Sequence, residues 1–391
     1  MLSLGIVHES ISIERYQMSY RPFSRISRLI AACSLVCFSY SSIACTAVNT
    51  VAKDGTVVAG RNLDWFFDMG WTLKVMPQGS PVILSGPSQS NIPTQTLPSK
   101  YAFIGIFPAI VKKGDIFLEG QNSAGLGMSG NFLPEFTQFQ KVTPEDKHAI
   151  SLLNFGTFVL GMFSNVKDLK EQLPKYKVWE SPSDFAGSPT PPYVHYAITD
   201  RTGASIVVEF VKGQMVIYDN IANTLTNAPT YDWHLNNARN YLSLSGTAPL
   251  PMTLNGKSIT ELGSEGAGMI GMPGDYTTPG RFIRAAYLQH MAGNVKTGAE
   301  ANQLIGHILN NVDVLKGTSI SKEGKTTASD WTQWTAIKDL TNNKFKIGTY
   351  LHRTNYVEFD LNRLFATNKQ MSWKVDDLPY SNGDVTAQVM K

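Results

Sequence analysis

Cys45, followed at once by Thr46, is the residue of this chain best equipped to do chemistry. The other two cysteines, Cys33 and Cys37, lie in an apolar run just upstream, and Ser42-Ile43-Ala44 has the small-residue ending of a secretion-signal junction. Cleavage after Ala44 makes Cys45 the first residue, so that one residue carries a thiol and a free α-amine. Their reference pKa values, about 8.5 and about 7.7–8.0, put proton transfer between them near balance, whereas a lysine amine near about 10.4 stays protonated. A single N-terminal residue can thus supply nucleophile and base for covalent catalysis. Gly60-Arg61-Asn62-Leu63-Asp64-Trp65, which ends twenty residues after Cys45, returns toward the start of the first strand. There Asp64 is placed to accept hydrogen bonds from the α-amine, and Arg61 to favour the thiolate. The same two residues also read as a surface Arg–Asp pair at a turn.

The elements that must position these groups are mostly short strands. Cys45–Ala52 and Thr56–Gly60 flank Lys53-Asp54-Gly55, and Asp-Gly between apolar runs signals a hairpin. Further strands are expected at Thr72–Met76, Ala102–Phe107, Gly125–Ser129, Tyr193–Thr199, Ala204–Val211 and Gln214–Tyr218, with two more at Trp331–Asp339 and Lys344–Leu351. Thr143 as cap and Pro144 at the first helical position predict a helix running through Phe163, followed by a second over Asn165–Leu173. Helices are also expected at Asp232–Tyr241, Gly280–Met291 and Ala299–Val312. Strands at both ends with helices between them predict an α+β fold of stacked antiparallel sheets covered by helices.

The leader bounds the rest. Met18 is a plausible start, with Arg21, Arg25 and Arg28 as a positive region, Leu29–Phe38 as an apolar core and Ser39–Ala44 as the cleavage region. Ten such residues are too few to span a bilayer. The expectation is therefore export to a periplasm or the exterior, with no membrane span, and a single domain over residues 45–391. A rival reading makes Cys45 a lipoprotein attachment site on a non-catalytic binding module. Lipidation would consume the thiol, and Ser42 stands where such signals prefer leucine. Without residues 1–44, basic side chains fall from 34 to 30 and acidic ones from 31 to 29, a net charge of +1 that supports no nucleic-acid partner. The seven histidines show no metal-ligand spacing, His195 and His234 read as structural, and no nucleotide fingerprint appears, so neither metal nor organic cofactor is expected.

An N-terminal Cys45-Thr46 with Gly60–Trp65 resembles the choloylglycine hydrolase family, which holds bile salt hydrolases and penicillin V acylases among the N-terminal nucleophile hydrolases. Three more blocks match in order: Asn122–Gly130 with Asn131-Phe132, Leu225–His234, and Gly271–Asp275 with Pro279–Phe282, where Gly280 replaces the family's serine. The resemblance implies a four-layer αββα fold, hydrolysis of a linear amide with an apolar acyl group, and a homotetramer. Carried over by position, it makes Cys45 nucleophile and base, supported by Arg61 and Asp64. Asn131 and Asn227 become oxyanion-hole residues and Arg281 a charge-stabilising one, although Gly130 stands where the family often has leucine before Asn131. Trp65, Phe66, Phe67 and Phe132 are candidates to line an acyl pocket, or else pack in the core. Export places penicillin V or N-acyl homoserine lactones ahead of conjugated bile salts as substrates.

Overall fold

The computed structural model describes residues 45–110, 116–180, 192–261, 265–323 and 326–381. The expected leader, residues 1–44, lies outside them. From Cys45 the chain forms β1 (Cys45–Val51), β2 (Val57–Trp65), β3 (Trp71–Met76), β4 (Phe103–Pro108), β5 (Glu119–Asn122) and β6 (Gly127–Phe132). Helices α1 (Leu152–Met162) and α2 (Val166–Gln172) follow, then β7 (Val194–Thr199), β8 (Ser205–Val211), β9 (Gln214–Asp219) and the short β10 (Thr224–Leu225). Next come α3 (Tyr231–Ala238), α4 (Thr278–Ala292) and α5 (Gly298–Asn311). The chain closes with β11 (Ser319–Glu323), β12 (Thr326–Asp339), β13 (Lys344–Thr349), β14 (Val357–Asp360), α6 (Leu361–Ala366) and β15 (Met371–Lys374).

Two antiparallel sheets dominate. The first runs β10-β1-β2-β12-β13-β14, with β11 paired to β12; the second runs β9-β8-β7-β6-β5-β4-β3-β15. Strand periodicity sends alternate residues of the first sheet to opposite faces. Val48, Val58 and Ile337 pack outward against Ala285 of α4 and Ala301, Ile305 and Leu309 of α5. Leu63, Trp334 and Phe345 point inward and share a core with Ile106 and Met128 of the second sheet and with Phe117 just before β5, and α1 covers that sheet through Phe155 and Val159. The order is helix, sheet, sheet, helix, the expected four-layer αββα arrangement. Gly60 permits the outer packing, because a Cβ there would lie 2.5 Å from Ile305 and 2.9 Å from Leu309.

The Lys53-Asp54-Gly55 turn forms as expected: Gly55 has φ +84°, Asp54 Oδ1 accepts from Thr56 N at 2.9 Å, and Val51 pairs with Val57. Strand β2 is longer than expected and runs through Arg61 to Trp65, because both its faces are buried and polar Arg61, Asn62 and Asp64 find partners there. The helix expected from Thr143 begins only at Leu152, capped by Ser151, whose Oγ accepts from Leu153 N at 3.2 Å. Thr143-Pro144 forms a turn instead, its ends joined by Asp146 N donating to Thr143 O at 3.1 Å and Thr143 N donating to Asp146 Oδ2 at 2.7 Å. A small exposed hairpin, Met252–Leu254 with Lys257–Ile259, occupies a stretch for which no element was expected.

Candidate active site

Cys45 is the first residue of β1, opposite Leu63 of β2. On the other edge of β1, β10 pairs Leu225 with Ala47, which brings Asn227 beside the start of the strand. The Cys45 nitrogen donates to Asn227 Oδ1 at 2.5 Å, and Asn227 Nδ2 donates to Phe132 O at 2.8 Å. Arg281 reaches the same spot from the first turns of α4, whose cap Thr277 accepts from Gly280 N. Its Nη1 donates to Cys45 O at 2.6 Å and Thr46 Oγ1 at 2.8 Å, and its Nη2 to Asn227 Oδ1 at 3.0 Å. One guanidinium and one amide therefore fix the backbone of residue 45 from both ends.

Arg61 comes from the inward face of β2. Its Nη2 donates to Cys45 Sγ at 3.4 Å, its Nε to Asn131 Oδ1 at 2.9 Å and its Nη1 to Leu118 O at 3.4 Å, while the guanidinium lies 5.1 Å over the Trp334 ring. Asn131 Nδ2 donates to Leu225 O at 2.9 Å, tying β6 to β10. Burial pushes the Cys45 thiol above its ordinary pKa; Arg61 and, more weakly, Arg281 pull it back, while the charge of Asp64 adds to the rise. Cys45, Arg61, Asp64, Asn131, Asn227 and Arg281 are each at most 2% exposed, so every charge among them must be answered by protein groups.

Asp64 departs from the sequence expectation. The acceptor at the Cys45 nitrogen is Asn227, whereas the Asp64 carboxylate sits on the helix-facing side of β2. There Oδ1 accepts from Thr332 Oγ1 and Oδ2 has no hydrogen-bond partner. The side alternation explains this, since residue 64 shares a face with Gly60 and Asn62 and not with Arg61. Burial pushes the Asp64 carboxyl up to about 7, opposed by Arg281 and the Thr332 bond and reinforced by Asp313 and Asp330. Burial likewise lifts Asp330 to about 7, again against the pull of Arg281.

The aromatic candidates are brought together. Trp65 meets Phe132 edge-on at 5.5 Å and stacks on Phe66 at 5.6 Å, and Phe67 meets Phe66 edge-on at 4.8 Å. Trp65 and Phe132 are buried, while Phe66 and Phe67 are only partly so. A cavity of about 850 Å³ lined by Asp54, His307, Lys344, Arg353 and Tyr356 touches none of the six central residues. Among the described residues no group of three or more His, Cys, Asp or Glu is arranged to hold a metal. No helix among them is long and apolar enough to cross a membrane.

Sequence reasoning read His195 and His234 only as structural and passed over Glu209 and Thr332, and these four residues enclose Asn227 and Asp64. His195 of β7 lies with Nε2 at 2.9 Å from Thr226 O and Nδ1 at 2.9 Å from Glu209 Oε1; His234 of α3 lies with Nε2 at 3.0 Å from Asn227 O. Thr332 of β12 holds Asp64. A usable signal existed for one of them, since Glu209 is a lone charge inside the apolar run Ile206–Val211. A carboxylate so placed is buried and needs partners.

Comparison with known proteins places this geometry. The model of "Linear amide C-N hydrolases, choloylglycine hydrolase family" matches residues 45–372. The bile salt hydrolase/transferase of Clostridium perfringens is 34% identical over 308 residues, 78% of this chain and 89% of that protein. A crystal structure of a variant of the conjugated bile acid hydrolase from Clostridium perfringens superposes with TM-score 0.74 and 30% identity, over 87% of this chain and 99% of that one. The penicillin V acylase structure from Agrobacterium tumefaciens shares the fold, with TM-score 0.65 and 19% identity, over 86% of this chain and 94% of that one.

Proposed function

Because the chain belongs to the choloylglycine hydrolase family of linear amide C–N hydrolases, we propose that Cys45, freed at its amine, hydrolyses such amides by covalent catalysis. The observation that carries this reading is the set of contacts converging on one residue: Asn227 on its nitrogen, Arg281 on its carbonyl and Arg61 on its sulfur. In the proposed cycle the α-amine takes the Sγ proton, and the thiolate attacks the amide carbon. The tetrahedral intermediate collapses to a thioester as the α-ammonium protonates the leaving amine. Water, deprotonated by the same amine, then releases the acid and restores the thiol. Asn131 and Asn227 each use one N–H of the side-chain amide on a backbone carbonyl. Such a nitrogen carries two, and the second is proposed to meet the oxyanion. In this account Asp64 acts through Thr332 and Arg281 and not directly on the amine.

Removal of residues 1–44 on export to the periplasm or exterior is part of the proposal. It is supported by the tripartite leader and by the family match beginning at Cys45. Conjugated bile salts are the first substrates to assay, supported by the likeness to the Clostridium perfringens hydrolase over most of its length. Penicillin V is the second reading, favoured by the partly buried Phe66 and Phe67 beside Trp65, a surface suited to an aromatic acyl group. N-acyl homoserine lactones complete the panel. Homotetramer formation is also proposed, supported by the exposed apolar residues Leu250, Met252, Leu254 and Ile259 around the small hairpin. Light scattering on the purified enzyme tests it, and a monomer would refute it. The reading as a whole is tested by turnover of the panel by wild type and by Cys45→Ala. Activity of the wild type that vanishes in the variant is expected; a fully active variant overturns the mechanism.

A further inference from the structure

The carbonyls of Thr226 and Asn227 are successive in the chain, and each faces a different buried histidine. The pairing bears on the reacting residue, since the same Asn227 holds the Cys45 nitrogen through Oδ1. We infer that the Glu209–His195 pair and His234 are positioning residues that clamp the Thr226-Asn227 segment and so set the geometry of the Cys45 amine. The inference rests on the mechanism proposed above.

The chemistry of the two histidines differs. His195 sees an acceptor on both ring nitrogens, Glu209 Oε1 and Thr226 O. The ring therefore bridges the Glu209 carboxyl group and the Thr226 carbonyl, one nitrogen to each. Glu209 Oε1 also accepts from Tyr231 N at 3.0 Å, which fastens the start of α3 to the same pair. His234 needs one proton only. Its Nε2 donates to Asn227 O and its ring stacks on Phe282 with centroids 4.6 Å apart, while burial lowers its pKa to about 4 and keeps it neutral at working pH. The titratable groups facing this assembly are Tyr218 of β9, Tyr231 and Asp232 of α3, and Arg281 of α4. His195, Glu209 and His234 are all fully buried.

The decisive variant is Glu209→Gln. It keeps an oxygen acceptor for Tyr231 N and His195 Nδ1, and puts an amide nitrogen where Glu209 Oε2 makes no hydrogen bond. It therefore keeps the bridge to His195 and the tie to α3, whereas Glu209→Ala removes both. Glu209→Ala is expected to lower kcat about ten- to a hundredfold with KM little changed, and Glu209→Gln to retain most of that kcat. Equal losses in the two variants, or a rise in KM that matches the fall in kcat, mean a structural role and overturn the clamp.

A second readout does not need turnover. In protein labelled with ¹⁵N at asparagine, the side-chain amide resonance of Asn227 is expected to move in Glu209→Ala and His234→Ala and to stay near its wild-type position in Glu209→Gln and His234→Gln. A resonance that stays put in all four variants overturns the inference even if no amide in the panel is a substrate, an outcome that would instead defeat the catalytic reading. His234→Gln supplies the conservative control, since its amide nitrogen can reach the position of imidazole Nε2. It is expected to retain most of the kcat that His234→Ala loses, and equal losses in the two would count against the clamp.

Discussion

Arg61→Gln separates the electrostatic role of Arg61 from its packing. In the native protein the guanidinium Nη2 is 3.4 Å from Cys45 Sγ. At that distance, with an effective dielectric constant of about 20, a unit charge and a thiolate attract by roughly 5 kcal/mol. Loss of this attraction raises the thiol pKa further above its ordinary value, while residual pull from Arg281 and the weak donor left by glutamine hold back part of the rise. Loss of roughly 3 kcal/mol corresponds to about a hundredfold fewer thiolates at a given pH. The assay is alkylation of Cys45 by iodoacetamide from pH 5 to 10, followed by intact mass, because only the thiolate reacts. Native circular dichroism is a required control, since Asn131 Oδ1 and Leu118 O also lose their donor, at about 1–3 kcal/mol each. A fall in alkylation rate of about a hundredfold at pH 7 is expected, with Arg61→Lys intermediate. A folded Arg61→Gln protein whose midpoint moves by less than half a unit would refute the reasoning.

Three further outcomes are expected. Asp64 has its carboxyl pushed up to about 7 by burial. The native state therefore favours the protonated acid, and stability present below about pH 4 is lost as pH rises through about 7, by up to roughly 4 kcal/mol. Asp64→Asn should accordingly raise the melting midpoint at pH 8 and leave it nearly unchanged at pH 4, and equal shifts at both would contradict the burial argument. Between the sheets, Lys338 Nζ donates to Glu119 Oε1, to Ser129 Oγ at 2.9 Å and to Met128 O at 3.2 Å. Lys338→Met strands the Glu119 charge and should cost about 3–5 kcal/mol in denaturant unfolding, with much of that recovered by adding Glu119→Gln. Gly60→Val should destabilise the protein by several kcal/mol, since its Cβ would lie within 3 Å of Ile305 and Leu309 of α5; an unchanged unfolding midpoint would mean that α5 shifts freely.

Much of this fold was legible because its strands alternate and its turns carry the right residues. The run from Val194 to Asp219 forms as a three-strand meander, with Gly203 and Gly213 at positive φ in the two turns. Legibility failed where tertiary burial overrides local pattern. Strand β2 ends at Trp65 and not Gly60, since Arg61 and Asp64 look like turn residues until their partners from β6 and β12 are supplied. Thr143-Pro144 carries every local mark of a helix start, yet Asp146 closes a turn there and Ser151 takes the cap. Strand β15 escaped notice because its ladder partner, β3, lies near the opposite end of the described chain. At the site, motif blocks named the six central residues, but spacing alone could not say which acceptor meets the Cys45 nitrogen. Asp64 and Asn227 are both polar and both near, and only the side alternation of β2 decides between them. The histidine clamp was illegible for a related reason: a buried His and a surface His look alike until their hydrogen bonds are known.

The most direct test of the central claim is mass spectrometry of the exported enzyme, acid-quenched during turnover of a hydrolysed amide and digested. The account predicts an N-terminal peptide beginning Cys45-Thr46-Ala47, with a free α-amine and the substrate's acyl group on Sγ, and loss of that adduct in Cys45→Ala. Turnover by a protein whose Cys45 is lipidated, internal to the chain or never acylated would contradict it.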